Sequence, residues 1–176
     1  MVDNDRGGAC SGGDSPAAPG ASETTALLSI VPTGGATDVD PPATVVVGFD
    51  HPMMPGMEAY ALLHRGDVTG PEVPGAWRLS DDLRTLTFTP ASLLQPGTTY
   101  TIHLGGGMMD ADGRHVDFDA HGDRMGGVWA SPAMMGRGMM GSGMMGGAVG
   151  DRHMGPGWQH PTNGSYGMVF TFTTRG

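Results

Sequence analysis

Short runs of β-branched and aromatic residues, each closed by a cluster of Gly, Pro, Asp or Ser, recur from Ala26 onward and point to a sheet protein. Leu27-Leu28-Ser29-Ile30-Val31 stops at Pro32-Thr33-Gly34-Gly35, and Thr44-Val45-Val46-Val47-Gly48-Phe49 follows. Ala59–His64 and Ala76–Leu79 read as a third and a fourth strand, the latter ended by Ser80-Asp81-Asp82. Thr85–Thr89 alternates strictly, so Leu86 and Phe88 share one face and the threonines the other. Tyr100–Leu104 alternates again, with Tyr100, Ile102 and Leu104 inward, and Met168–Thr173 puts Phe170 and Phe172 on one face. No helical periodicity of any length competes. Seven short strands of this kind predict an all-β sandwich with one core.

Two stretches interrupt the pattern. Residues 1–25 are Gly, Ser, Ala, Pro and Asp, a composition that predicts a disordered tether ahead of a domain spanning 26–176. More than sixty residues separate Leu104 from Met168 with no convincing strand. A gap that long inside a compact domain is expected to be a functional or disordered insertion, here residues 105–166.

The charge and the cysteine count narrow the function classes. The net charge is −9, with nine Arg and no Lys, so no basic stripe awaits nucleic acid. Cys10 is the one cysteine, which excludes an intrachain disulfide. No apolar run approaches the ~20 residues that span a bilayer, and the first residues lack the apolar region of a secretory signal. Cys10 opens Cys-Ser-Gly-Gly-Asp-Ser-Pro-Ala-Ala-Pro-Gly, which is similar to the start of a mature bacterial lipoprotein. The expectations are a lipid anchor at Cys10, an extracytoplasmic location in periplasm or envelope, and a signal missing from the sequence. A free cysteine in a disordered tail is the other reading.

Several motifs in combination resemble the SbsA-type bacterial Ig-like domain. Val31-Pro32-Thr33-Gly34-Gly35-Ala36-Thr37-Asp38-Val39 is similar to that family's opening turn, and Val45–Met53 to its strand end before Pro-Met. Leu86-Thr87-Phe88-Thr89-Pro90 with Leu94-Gln95-Pro96-Gly97-Thr98-Thr99-Tyr100 resembles its centre. Asp110-Ala111-Asp112-Gly113 resembles a turn, and Phe170-Thr171-Phe172-Thr173-Thr174 the close. The resemblance covers about half of the chain. It implies a seven-stranded, Greek-key immunoglobulin-like sandwich, usually extracytoplasmic, with a tyrosine corner at Tyr100 and no activity of its own. The long segment 105–166 takes the place of that family's short turn between the last two strands.

That segment carries the chemistry. Ten of the 15 methionines lie between Met108 and Met154. At its centre Met134-Met135, Met139-Met140 and Met144-Met145 repeat every five residues among glycines. A period of five builds neither a helical stripe nor a strand face. Core filling, the usual use of Met, fits poorly where residues 105–166 hold no Leu or Ile. Thioether sulfur prefers Cu(I) and Ag(I), and imidazole also suits Cu(II). Thioethers do not titrate, so they bind at acid pH. Copper, with Cu(I) favoured, is therefore the expected cofactor, for sequestration or for transfer to a copper-handling envelope protein. The composition resembles the methionine-rich loops of bacterial periplasmic copper-resistance proteins.

Two classes of site are expected. One is an ordered site where the loop between the second and third strands meets the insertion at one pole of the sandwich: His51, Met53, Met54, Met57, Met108 and Met109. The other is a flexible multi-ion segment of Met134, Met135, Met139, Met140, Met144 and Met145, with Met125 and Met154 nearby. His115, His121, His153 and His160 accompany them. Asp110, Asp112, Asp117 and Asp119 raise calcium, but the EF-hand spacing is absent and a plain Asp-Gly turn is the simpler reading. Trp129 and Trp158 are expected to pack the insertion onto the sandwich. No spacing selects a catalytic triad or phosphate loop, so the chain is read as a non-enzyme. Two other functions remain open: an envelope or surface module whose Met/Gly loop is an adaptable apolar patch for a protein partner, and a methionine oxidant sink.

Overall fold

A computed structural model describes residues 24–131, 134 and 157–176. Among them ten strands form two sheets. The strands are β1 (Thr25–Val31), β2 (Ala36–Val39), β3 (Val45–Phe49), β4 (Ala61–Arg65) and β5 (Gly75–Leu79). They continue as β6 (Thr85–Pro90), β7 (Thr99–Leu104), β8 (Val116–Asp117), β9 (Gly127–Trp129) and β10 (Met168–Thr174). The first sheet runs β5-β6-β3-β1-β8 and the second β2-β10-β7-β4, with β9 added on β10. β1 and β2 thus pass the chain from one sheet to the other, and β3–β4 and β6–β7 also cross, which is the Greek-key wiring of an immunoglobulin-like sandwich.

Alternation sets what fills the space between the sheets. Leu27, Val45, Val47, Leu86 and Phe88 of the first sheet meet Leu63, Tyr100, Ile102, Leu104, Phe170 and Phe172 of the second, all essentially inaccessible to solvent. Each such aliphatic or aromatic side chain contributes about 1.5–3 kcal/mol by leaving water. Tyr100 stacks on Phe172 with ring centres 5.6 Å apart, and the Gln95 amide donates to its hydroxyl at 2.7 Å, tying the entry of β7 to the preceding turn.

The structure corrects four expectations. The third strand starts at Ala61, because Gly56 (φ 97°) turns the chain into a 3-10 turn over Met57–Tyr60. Ala36–Val39 is a strand that pairs in parallel with β10, and Thr25 opens β1, not the tail. The stretch after Leu104 is not strandless: β8, the single-turn helix α1 (Phe118–His121) and β9 lie within it. β10 explains β9, since β2 pairs only with its C-terminal end. Met168, Val169 and Phe170 would otherwise present an open edge, and β9 occupies it. The approach is close enough that a Cβ at Gly34 would stand 2.2 Å from the Gly126 carbonyl oxygen.

Candidate functional site

At one pole the β3–β4 loop and the stretch after β7 are hydrogen-bonded to each other. The Met54 amide donates to the Met109 carbonyl at 3.1 Å, the Ala111 amide to the Pro52 carbonyl at 2.8 Å, and Met53 bridges Asp110. The Met109 amide lies 3.3 Å from the Met57 sulfur. The side chains divide in two groups. Met53, Met57 and Met108 are buried in the main apolar core, beside Phe118 and Met168. They use methionine as a core filler, and for Met108 this corrects the reading of the insertion as unsuited to core packing. Met54, Met109 and His51 stay partly accessible at the rim. His51 directs Nδ1 at the Asp50 carboxylate, 2.7 Å away, so the proton sits on Nδ1 and Nε2 of the neutral ring keeps a lone pair.

Asp110 anchors this pole. Its carboxylate accepts the Thr25 hydroxyl at 2.6 Å and the Asp112 and Arg114 amides at 2.9 and 2.8 Å, with the Arg114 guanidinium at 3.4 Å. Burial alone pushes its pKa up, but these hydrogen bonds and the Arg114 charge outweigh it and hold the group below the usual carboxylate range. Protein donors thus take up its oxygens, as befits a structural buried turn. Asp112 pairs with Arg114 at 3.0 Å, and Asp117 caps α1 by accepting the Ala120 amide at 2.8 Å. Among the described residues no group of three His, Cys, Asp or Glu side chains is placed to hold a metal ion.

The remaining described candidates spread around β8, α1 and β9. His115 bridges Met109 by backbone, and its Nδ1 is buried without a hydrogen-bond partner among the described residues. His121 and Met125 are half-buried, on α1 and on the turn after it, and Met134 is exposed. His160 is buried against Trp129, ring centres 4.9 Å apart, with Nε2 3.9 Å from Asp119. Burial lowers its pKa, helped by His115 and opposed by Asp119 and Asp117. The amides of Thr162 and Asn163 both point at its Nδ1 (3.3 Å), which therefore carries no proton. A neutral His160 then holds its proton on Nε2, so in this arrangement neither nitrogen is open to a metal. Met135, Met139, Met140, Met144, Met145, His153, Met154 and Cys10 lie outside the described residues.

A second locus was not expected from sequence. On β4 and β7, His64 and His103 point away from the core, on a sheet face that is normally wet, yet both are buried. The 66–70 loop and the last part of the insertion cover them. His64 Nδ1 lies 3.0 Å from the Gly70 carbonyl and His103 Nε2 2.7 Å from that of Tyr166. Trp158 stacks beside His103 at 4.7 Å and meets Tyr60 edge-on at 5.9 Å. Burial lowers the pKa of His64, opposed by the Gly70 hydrogen bond and the charges of Glu72 and Asp67. The sequence signal was the alternation in Tyr100–Leu104, which sets His103 opposite the core residues. Nothing in the pattern says that the outer face is covered.

The architecture is that of a bacterial immunoglobulin-like sandwich, and residues 21–120 match the family described as Bacterial Ig-like domain. The match spans more than half of the 176 residues, and the chain belongs to that family. No curated protein matches it. Among solved structures, the S-layer protein rSbsC(31-844) is similar at 18% identity and TM-score 0.38, over 53% of this chain and 12% of that one. L,D-transpeptidase 1 of Mycobacterium tuberculosis gives 19% and 0.36, over 45% of this chain and 35% of that one. The alpha-2-macroglobulin of E. coli gives 23% and 0.40, over 55% of this chain and 6% of that one. The chain therefore spans only a small part of these larger proteins. No helix among the described residues is long and apolar enough to cross a membrane.

Proposed function

We propose that this chain is an extracytoplasmic, non-catalytic binding module in which the sandwich holds out the Met/Gly/His-rich segment to a protein partner. The observation that carries this is how the two sides of the segment are gripped. The Ala130 amide donates to the Gly167 carbonyl at 2.8 Å and the Tyr166 amide to the Ala130 carbonyl at 3.0 Å, beside the β9–β10 pairing. The sheet thus supplies a rigid stem, the usual way a sandwich presents a binding loop. Near the stem Met134 lines a hollow of about 380 Å³ with Val68, Thr101 and Val169. Unbranched, polarizable methionine suits an adaptable contact there. A photo-crosslinking methionine analogue at position 134, tested in the native envelope, is expected to capture one discrete protein, while a crosslinker at exposed Leu28 on β1 captures none. Equal labelling from both positions contradicts the reading.

A second reading, copper binding for sequestration or transfer, is favoured by the rim of the pole. His51 keeps an Nε2 lone pair while the Asp50 carboxylate holds the other ring nitrogen, the way a carboxylate commonly fixes the ring of a metal-bound histidine. Partly exposed Met54 and Met109 lie on adjoining backbone. In an anaerobic Cu(I) competition titration, Met54→Leu with Met109→Leu is expected to weaken binding without unfolding the domain, and unchanged affinity removes the site at the pole.

A further inference from the structure

We propose that His160 is an acid-sensitive fastener for residues 157–166: the neutral ring holds this strap against the sandwich, and the protonated ring lets it go. The inference goes beyond both readings above, because it concerns when one arm of the stem is held and stands whatever the stem presents.

The strap is built around one imidazole. The His160 amide donates to the Ser165 carbonyl at 2.8 Å and closes a turn. Within that turn the amides of Thr162 and Asn163 point at Nδ1 from 3.3 Å, and the Thr162 hydroxyl lies 3.1 Å from it. The Asn163 side chain in turn accepts the Ser165 amide at 2.9 Å. Outside the turn the ring meets Trp129 of β9 edge-on, and Nε2 faces Asp119 of α1. Gly106, just after β7, presses so close that a Cβ there would stand 2.8 Å from the His160 backbone nitrogen. His160 thus joins the strap to both earlier parts of the insertion.

A proton on Nδ1 turns that atom from acceptor to donor. The Thr162 hydroxyl can rotate to accept it, but the two amides cannot, so the cation sets N–H against N–H and breaks the turn. Of the charged groups that face the ring, Asp119 and Asp117 favour the cation and His115 opposes it, while burial, the largest influence, favours the neutral ring. Asp119 is 63% exposed, so water screens its pull, and it faces Nε2, which carries a proton in either state. Trp129 and Gly106 bring no charge. Residues 157–166 hold no other side chain that changes charge near neutral pH.

In the released strap His160 takes up a proton at its ordinary value of 6.5, and in the held strap at a lower one. The held form is therefore fully favoured above that value and loses ground as pH falls below it, until the held ring itself titrates. His103 also meets this strap, through Trp158 and the Tyr166 carbonyl, so its ring must be followed separately.

The test uses the full chain and reads two signals between about pH 7.5 and 5. One is amide hydrogen exchange corrected for intrinsic rates, and the other is the titration of the His160 and His103 rings by NMR. Protection of the Gly106, His160 and Tyr166 amides, which bond to or within the strap, is expected to fall roughly fivefold or more. The fall should track the His160 ring, while amides paired between β7 and β10 stay protected. In the His160→Asn variant a side-chain oxygen can accept the same two amides without titrating, and the strap is expected to stay protected throughout. Unchanged protection of the unaltered chain down to the lowest pH overturns the proposal. So does a loss that persists in the Asn variant, or one that tracks His103 instead. Because the ring titrations are read in the unaltered chain, they decide the question even if the variant fails to hold the strap.

Discussion

Thr25 and Asp110 are 85 residues apart in sequence, yet the Thr25 hydroxyl donates to the buried Asp110 carboxylate at 2.6 Å. The bond joins the first residue of β1 to the turn after β7, and the Thr25 amide donates to the His115 carbonyl beside it at 2.9 Å. The family-like Asp-x-x-Gly turn is thus a buried latch between the start of the domain and the insertion. Replacing Asp110 by Ala leaves the Thr25 hydroxyl and two backbone amides without their acceptor and is expected to cost roughly 2–4 kcal/mol, read as a lower urea midpoint.

The same carboxylate gives the stability a pH dependence of defined sign. Its folded pKa lies below the unfolded value, so its contribution is complete above the unfolded pKa of about 3.9 and is lost as pH falls through the folded one. Melting temperature is expected to drop below about pH 4, and the Asp110→Asn variant to show a flatter fall. A parallel fall in both proteins removes Asp110 as the source.

Methionines at the pole differ in how they respond to size. Met53 and Met108 are fully buried, so truncation to Ala is expected to cost about 2–5 kcal/mol, while the volume-conserving change to Leu costs less than about 1.5 kcal/mol. Chemical denaturation of the four single variants checks this.

Exposure also ranks them toward oxidants. Met134 is 43% exposed and Met53 and Met108 are inaccessible. Under limiting peroxide, mass spectrometry of peptides is expected to find sulfoxide at Met134 well before either core residue appears oxidised. Simultaneous oxidation would mean that the pole is far looser than its packing.

How far the sequence reaches is clear from particular residues. Alternation in Thr85–Thr89 and Tyr100–Leu104 made Leu86, Phe88, Ile102 and Leu104 legible as core, because a period of two has one meaning in a half-buried strand. Gly127-Val128-Trp129 carries no such signal: its pairing comes from the open edge of β10, a tertiary cause. Met108 read as part of a methionine-rich loop, but its segment folds back so that the Val116 amide donates to the Met108 carbonyl at 3.0 Å, and this turns the side chain into the core. The alternation in Tyr100–Leu104 sets His103 opposite the core residues, but periodicity reports which face a residue takes, not what later covers that face, and both His64 and His103 are buried.

Hydrogen exchange at the stem tests the central claim, that the insertion is built into the sandwich and grips the methionine segment at both sides. The amides of Ala130 and Tyr166, which bond across the stem, and of Gly106, which donates to the Trp158 carbonyl at 2.9 Å, are the reporters. Protection close to that of the β7 and β10 amides is the predicted result. Exchange at the rate of an unstructured peptide, with β7 and β10 still protected, would show that the insertion only hangs from the sandwich and would contradict the account.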